Sequence, residues 1–133
     1  MANEAVCIET PTIFERKTIA AGAVIPIGTI MNLSSDPNTV TASSGADLFG
    51  GIAWEESTAT NTFTELTVAM NGIWDIKNNA GEAITLGGMV SLSGANLIKQ
   101  ADAGELLTGA ILGKCQESAA VDEVVRVAVG SLA

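Results

Sequence analysis

Ile25-Pro26-Ile27-Gly28-Thr29-Ile30-Met31-Asn32-Leu33-Ser34 and Ile84-Thr85-Leu86-Gly87-Gly88-Met89-Val90-Ser91-Leu92-Ser93 are the two stretches that decide the fold. Each reads apolar-x-apolar-Gly, then a short apolar run, then Leu-Ser and a turn rich in Gly, Asn, Asp or Pro. A glycine after the first apolar pair suits a tight turn or bulge with positive φ, and the run behind it suits a strand. The same offset of 59 residues carries Val68-Ala69-Met70 onto Val127-Ala128-Val129. More loosely, Gly51-Ile52-Ala53-Trp54-Glu55-Glu56-Ser57 echoes Gly113-Lys114-Cys115-Gln116-Glu117-Ser118. The pattern predicts two related β units closing on one core.

Outward from these stretches the chain alternates as half-buried strands do. Leu66, Val68 and Met70 share one parity, Trp74 and Ile76 another, and Val125, Val127 and Val129 a third. Asn71-Gly72 stands between two alternating runs, the strongest short-range hairpin signal. Ser34–Asn38, Ser43–Asp47, Asn78–Gly81 and Ser93–Asn96 carry turn chemistry. Ala101–Leu107 admits a single helical turn, with Gly104 weakening anything longer. No segment holds a helical period. The expectation is an all-β, compact barrel-like domain of eight to ten short strands. Val68, Trp74, Leu92, Ile111, Val127 and Val129 are expected in its core. Cys115 shares the parity of Ile111 and Gly113, which predicts a buried, inert thiol.

Composition narrows the function. The 133 residues suit one domain with a real core. A net charge of −9 with six basic residues argues against a nucleic-acid partner, because phosphate binding needs clustered Lys and Arg. No apolar run approaches the ~20 residues of a membrane helix. The N-terminus lacks a basic-then-apolar leader pattern, so export by a signal peptide is not expected. With no histidine, neither a Ser-His-Asp nor a Cys-His nucleophile can be assembled. Cys7 and Cys115 lack metal-site spacing; they read as two unrelated thiols or as one disulfide. Glu55-Glu56 is the only close carboxylate pair with any claim to acid–base work, and it reads as a solvated loop. No catalytic residue, metal, cofactor or small-molecule substrate is expected.

Residues 1–20 stand outside both repeats, leaving residues 21–133 as the barrel. Val6-Cys7-Ile8 is a short apolar cluster, Pro11 interrupts it, and Ile13-Phe14-Glu15-Arg16-Lys17 holds an adjacent basic pair. The segment reads either as a frayed terminus tucked onto the core or as an extended arm that adds to a neighbouring sheet edge. In the second case Ile8, Ile13 and Phe14 are its apolar anchors, and Arg16 and Lys17 meet an acidic surface.

The order of these pieces resembles a family of phage head-decoration proteins. The matching run is Ala21-Gly22-Ala23-Val24 leading to Gly28, Gly51-Ile52-Ala53, and Val68-Ala69-Met70-Asn71-Gly72-Ile73-Trp74. It continues through Ala83-Ile84-Thr85-Leu86-Gly87-Gly88-Met89-Val90, Ile111-Leu112-Gly113-Lys114-Cys115 and Val125-Arg126-Val127-Ala128-Val129. The first 20 residues exceed the minimal family pattern, and Gly88 stands where the family often has an acidic residue. The resemblance implies a β-tulip or β-barrel domain, frequently a homotrimer, made in the host cytoplasm. It implies binding to major capsid protein on the outer surface of an icosahedral capsid, stabilising the shell, with no catalytic residues. A lipoyl or biotinyl carrier domain is the alternative, because such domains are also two similar β halves. Its cofactor lysine needs an exposed hairpin tip, and Lys77 beside Asn78-Asn79 comes nearest.

Overall fold

The computed structural model describes residues 3–45, 48–79 and 81–131. Turn positions expected at Ala46–Asp47 and Ala80 lie outside the described residues. Among the described residues, eleven strands and one helical turn follow in order. They are β1 (Val6–Glu9), β2 (Phe14–Thr18), β3 (Ile30–Ser35), β4 (Thr39–Ala42), β5 (Phe49–Ala53), β6 (Glu65–Ala69) and β7 (Gly72–Asn78). β8 (Met89–Gly94), β9 (Leu97–Gln100), α1 (Glu105–Thr108), β10 (Ile111–Cys115) and β11 (Val124–Val129) complete the chain. The all-β expectation holds, with eleven strands where eight to ten were expected, and the helical turn starts inside the segment that allowed one and runs one residue past its end.

The strands make two barrels of one design, each with its own buried cluster where a single core was expected. In the first, the order β2-β4-β3-β5-β6 closes on itself. In the second, β7-β11-β10-β8-β9 closes through a β7–β9 pairing, and β1 is added on β7. β2 runs parallel to β4 and antiparallel to β6, while β7 runs parallel to β9 and antiparallel to β11. The 59-residue offset maps β3 onto β8 end to end and β2 and β6 into β7 and β11. Isolated bridges Ile25–Ser57 and Ile84–Ala119 occupy matching places, as do the positive-φ turns at Gly28 (91°) and Gly87 (78°). At Gly28 a Cβ would also strike the backbone oxygen of Ala5, so no other residue fits the crossing of the N-terminal segment.

Two expectations fail here for a common reason. Asn71-Gly72 closes no hairpin: β6 belongs to the first barrel and β7 to the second, so the dipeptide is the crossover between them. Asn71 serves that crossover with its side chain, its Oδ1 accepting from the Thr12 and Ile13 N–H groups (2.9 and 3.0 Å). Likewise β2 is a full member of the first barrel, and β1 pairs with β7 at Val6–Asp75 and Cys7–Trp74. The segment Val6–Lys17 is therefore extended but built into both sheets, not a mobile arm outside the repeats. Both misreadings come from taking neighbours in sequence as partners; here the long-range pairings decide.

Core positions follow strand parity. Val68, Trp74, Leu92, Val127 and Val129 are buried as expected, but Ile111 is only half-buried and Leu112 takes its place inside. The β8–β10 register slips between Ile111 and Gly113, and such a slip reverses which side chain faces inward. Met31, Val40, Ala53, Leu66 and Val68 fill the first barrel with Ile19 and Ile25. Ile30, Ile52 and Ala69 face the opposite way and join the core of the second. β3, β5 and β6 thus bury both faces at the seam. Asn96 locks it, accepting from the Ile30 N–H at Oδ1 (2.8 Å).

Candidate interaction surface

Apolar side chains lie exposed along the N-terminal strands. Ile8, Ile13 and Phe14 are exposed, as is Val6. β1 turns Cys7 toward the core and so must turn Val6 and Ile8 outward, by the alternation of a strand. Phe14 lies on Trp54 (centroids 5.3 Å), which meets the buried Trp74 edge-on at 6.1 Å. This aromatic series runs from the surface into the core and holds the Phe14 ring in place.

The basic pair behaves differently from its sequence reading. Arg16 donates from Nη1 to Glu55 Oε1 (2.7 Å) and Thr67 Oγ1 (2.9 Å), with Glu65 at 3.9 Å. Lys17 is buried, its Nζ donating to Glu15 Oε1 (2.7 Å) and Asn38 Oδ1 (2.8 Å). Neither cation is left facing an acidic partner; both are neutralised within the fold. Sequence reasoning missed these partners because Glu55, Glu65 and Asn38 approach β2 only through tertiary pairing. Hydrogen bonds from the Thr67 side chain and backbone, with the Arg16 charge, hold the Glu55 carboxyl below its ordinary range. Burial works against lysine ionisation at Lys99, but Asp102 and Glu105 outweigh it and raise the ammonium pKa.

The remaining expectations are placed as follows. Cys7 and Cys115 are free thiols. Cys115 is buried and donates to the Thr85 carbonyl (2.9 Å), and burial pushes the Cys7 thiol up. Among the described residues no group of three His, Cys, Asp or Glu side chains is gathered as a metal site would need. Lys77 sits inside β7 opposite Val124 and Leu97 rather than at a hairpin tip, so the carrier-domain geometry is not met. What the surface offers is apolar area, short ion pairs and strand edges, which is the chemistry of docking.

Similarity in structure carries the comparison further. The chain matches the head fiber gp8.5 N base in bacteriophage phi29 with a TM-score of 0.55 and 12% identity. The match covers 89% of this chain and 95% of that one. The fold resembles that of a phage head protein. No family model and no curated protein sequence matches the chain. At that identity the likeness is one of architecture, spanning both barrels and not a fragment of one.

Proposed function

We propose that this protein is a structural virion component that binds the outer surface of an icosahedral phage capsid and stabilises the shell. The observation that carries this reading is the architectural match of 89% of this chain to a phage head fiber base. The exposed apolar side chains Ile8 of β1, Phe14 of β2 and Ile13 just before β2 are the contact surface, held by strands that are already paired. An ordered surface loses less conformational entropy on docking than a free arm would. The major capsid protein is the partner. A homotrimer would multiply the contact of one small domain toward the ~1,200–2,000 Å² of a stable interface.

Sedimentation tests the reading. Shells assembled from the co-expressed major capsid protein are mixed with the purified chain and pelleted. The protein should pellet at a fixed ratio to capsid subunits and raise the shell's thermal midpoint. Its remaining in the supernatant, with the midpoint unmoved, would overturn the assignment. Sedimentation equilibrium of the free chain checks the trimer.

A further inference from the structure

The two barrels differ at one edge. In the second, β7 offers its outer edge to two strands: β1 along Ile73–Asp75 and β9 at Lys77–Asn78. In the first, β2 meets β4 only at Thr18–Thr39, and no described strand covers the rest. The 59-residue offset places Phe14, Glu15 and Arg16 where β7 has Ile73, Trp74 and Asp75. Among the described residues, the stretch that β1 covers on β7 thus has no strand beside it at this edge of β2.

The hydrogen-bond phase of β2 shows which groups face that edge. The Met70 N–H donates to Ile13 O and the Ile19 N–H to Thr64 O, so odd-numbered residues of β2 bond toward β6. Phe14 and Arg16 then point their backbone groups the other way, as in any antiparallel pair. The Asn38 side chain donates to Arg16 O (3.0 Å) and ends the open stretch. Among the described residues, the Phe14 N–H and C=O and the Arg16 N–H have no partner, a row that one short strand can meet.

We infer that this edge is a docking site for an extended segment of another protein, laid antiparallel to β2 as β1 is laid on β7. The occupant's chemistry follows from what it would face. Opposite Glu15, whose carboxylate is half-exposed and engaged at one oxygen by Lys17, a Lys or Arg is favoured. Opposite Phe14 an apolar residue would cover the exposed part of the ring. The pattern in the occupant's own direction is any residue opposite Arg16, then a basic residue, then an apolar one. A basic centre also suits a chain of net charge −9. The source in a virion would be the shell protein, and that clause alone rests on the function proposed above.

The test needs no shell. Isotope-labelled full-length protein is titrated with the peptide acetyl-Thr-Val-Thr-Lys-Val-Thr-amide and followed by amide NMR. The Phe14 and Arg16 amides should shift and exchange more slowly. Replacing the peptide's Lys by Glu should weaken binding about tenfold. Glu15→Gln should erase that preference while leaving the spectrum of the folded chain intact. Shifts confined to other residues, or equal binding of both peptides, would overturn the site. Slow exchange at Phe14 and Arg16 in the protein alone, growing with its concentration, would assign the edge to a second copy instead. Because the peptide stands apart from the capsid, failure here leaves the sedimentation result untouched.

Discussion

The first barrel holds Glu15 and Lys17 where the second holds Trp74 and Ile76. Both pairs sit on the inward parity of equivalent strands, opposite Val68 and Leu66 in one case and Val127 and Val125 in the other. Trp74 and Ile76 are fully buried, and β1 runs beside them. Lys17 is buried as well, but it reaches Glu15 at the uncovered edge and Asn38. A buried ammonium is tolerated only when paired and hydrogen-bonded. One backbone design therefore accepts an apolar or a polar filling, depending on whether an extra strand seals its edge.

The comparison breaks most visibly under truncation. Removing residues 2–9 should uncover the β7 edge yet leave the first barrel closed. Hydrogen exchange should then show the Ile73 and Asp75 amides losing protection while β3 to β6 keep theirs. Removing residues 2–17 takes β2 as well, and with it both strand pairings that close the first barrel. That variant should lose protection throughout β3–β6. Retention of a closed first barrel in the longer truncation would show that β2 is an accessory after all.

Next in size is the equivalent pair Trp74 and Glu15. Trp74→Ala should cost ~3–5 kcal/mol in chemical denaturation, since a large core side chain leaves both lost transfer energy and a cavity. Glu15→Ala, at the matching place, should cost less, about 1–3 kcal/mol, because it removes a half-exposed carboxylate and leaves the buried Lys17 ammonium with Asn38. Equal costs would mean that the two barrels are filled alike.

Leu33 and Leu92 isolate burial from chemistry, being the same residue at equivalent positions of β3 and β8. Leu92 is 0% exposed and Leu33 36%. Leu92→Ala should cost ~2–5 kcal/mol and Leu33→Ala well under half of that. A Leu33 variant as damaging as the Leu92 one would place a load on β3 that its exposure does not show.

Much of this architecture was legible in the chain. The 59-residue echo of Ile25–Ser34 in Ile84–Ser93 predicted two like units, because apolar parity and a glycine turn are local properties that recur with the fold. The repeat's beginning was not legible. Phe14-Glu15-Arg16-Lys17 and Ile73-Trp74-Asp75-Ile76 fill matching strands with different chemistry, so no periodicity links them. Asn71-Gly72 misled for a related reason: a tight turn fixes a change of direction, not which strand lies alongside. Ile111 misled because a register slip has no composition signal. Of the docking surface, Ile8, Ile13 and Phe14 could be picked out as apolar residues near a terminus. The engagement of Arg16 and Lys17 could not, since Glu55, Glu65 and Asn38 are distant in sequence.

The smallest effect concerns the ion pairs that decorate β2 on its outer face. Glu55 accepts the Thr67 N–H (2.7 Å) and the Arg16 guanidinium (2.7 Å), and its carboxyl titrates below the ordinary 4.5. A carboxyl with a lowered folded pKa adds stability that is complete above its unfolded pKa and is lost as pH falls through the folded one. The Glu55 contribution is therefore present at neutral pH and should disappear below about pH 4.5, the ordinary value from which it is lowered. Both partners are about half-exposed, so solvent screening limits the gain to below about 1 kcal/mol. Glu55→Gln should lower the denaturation midpoint slightly at pH 7, and the difference from the parent protein should shrink as the pH falls through the lowered folded pKa. Because β7 carries Asp75 beside Arg126 of the adjacent β11 (3.2 Å), Asp75→Asn at pH 7 compares the two outer faces. A Glu55→Gln difference that widened as the pH fell would mean that the carboxyl is destabilising in its charged form, against the geometry of its Thr67 and Arg16 donors.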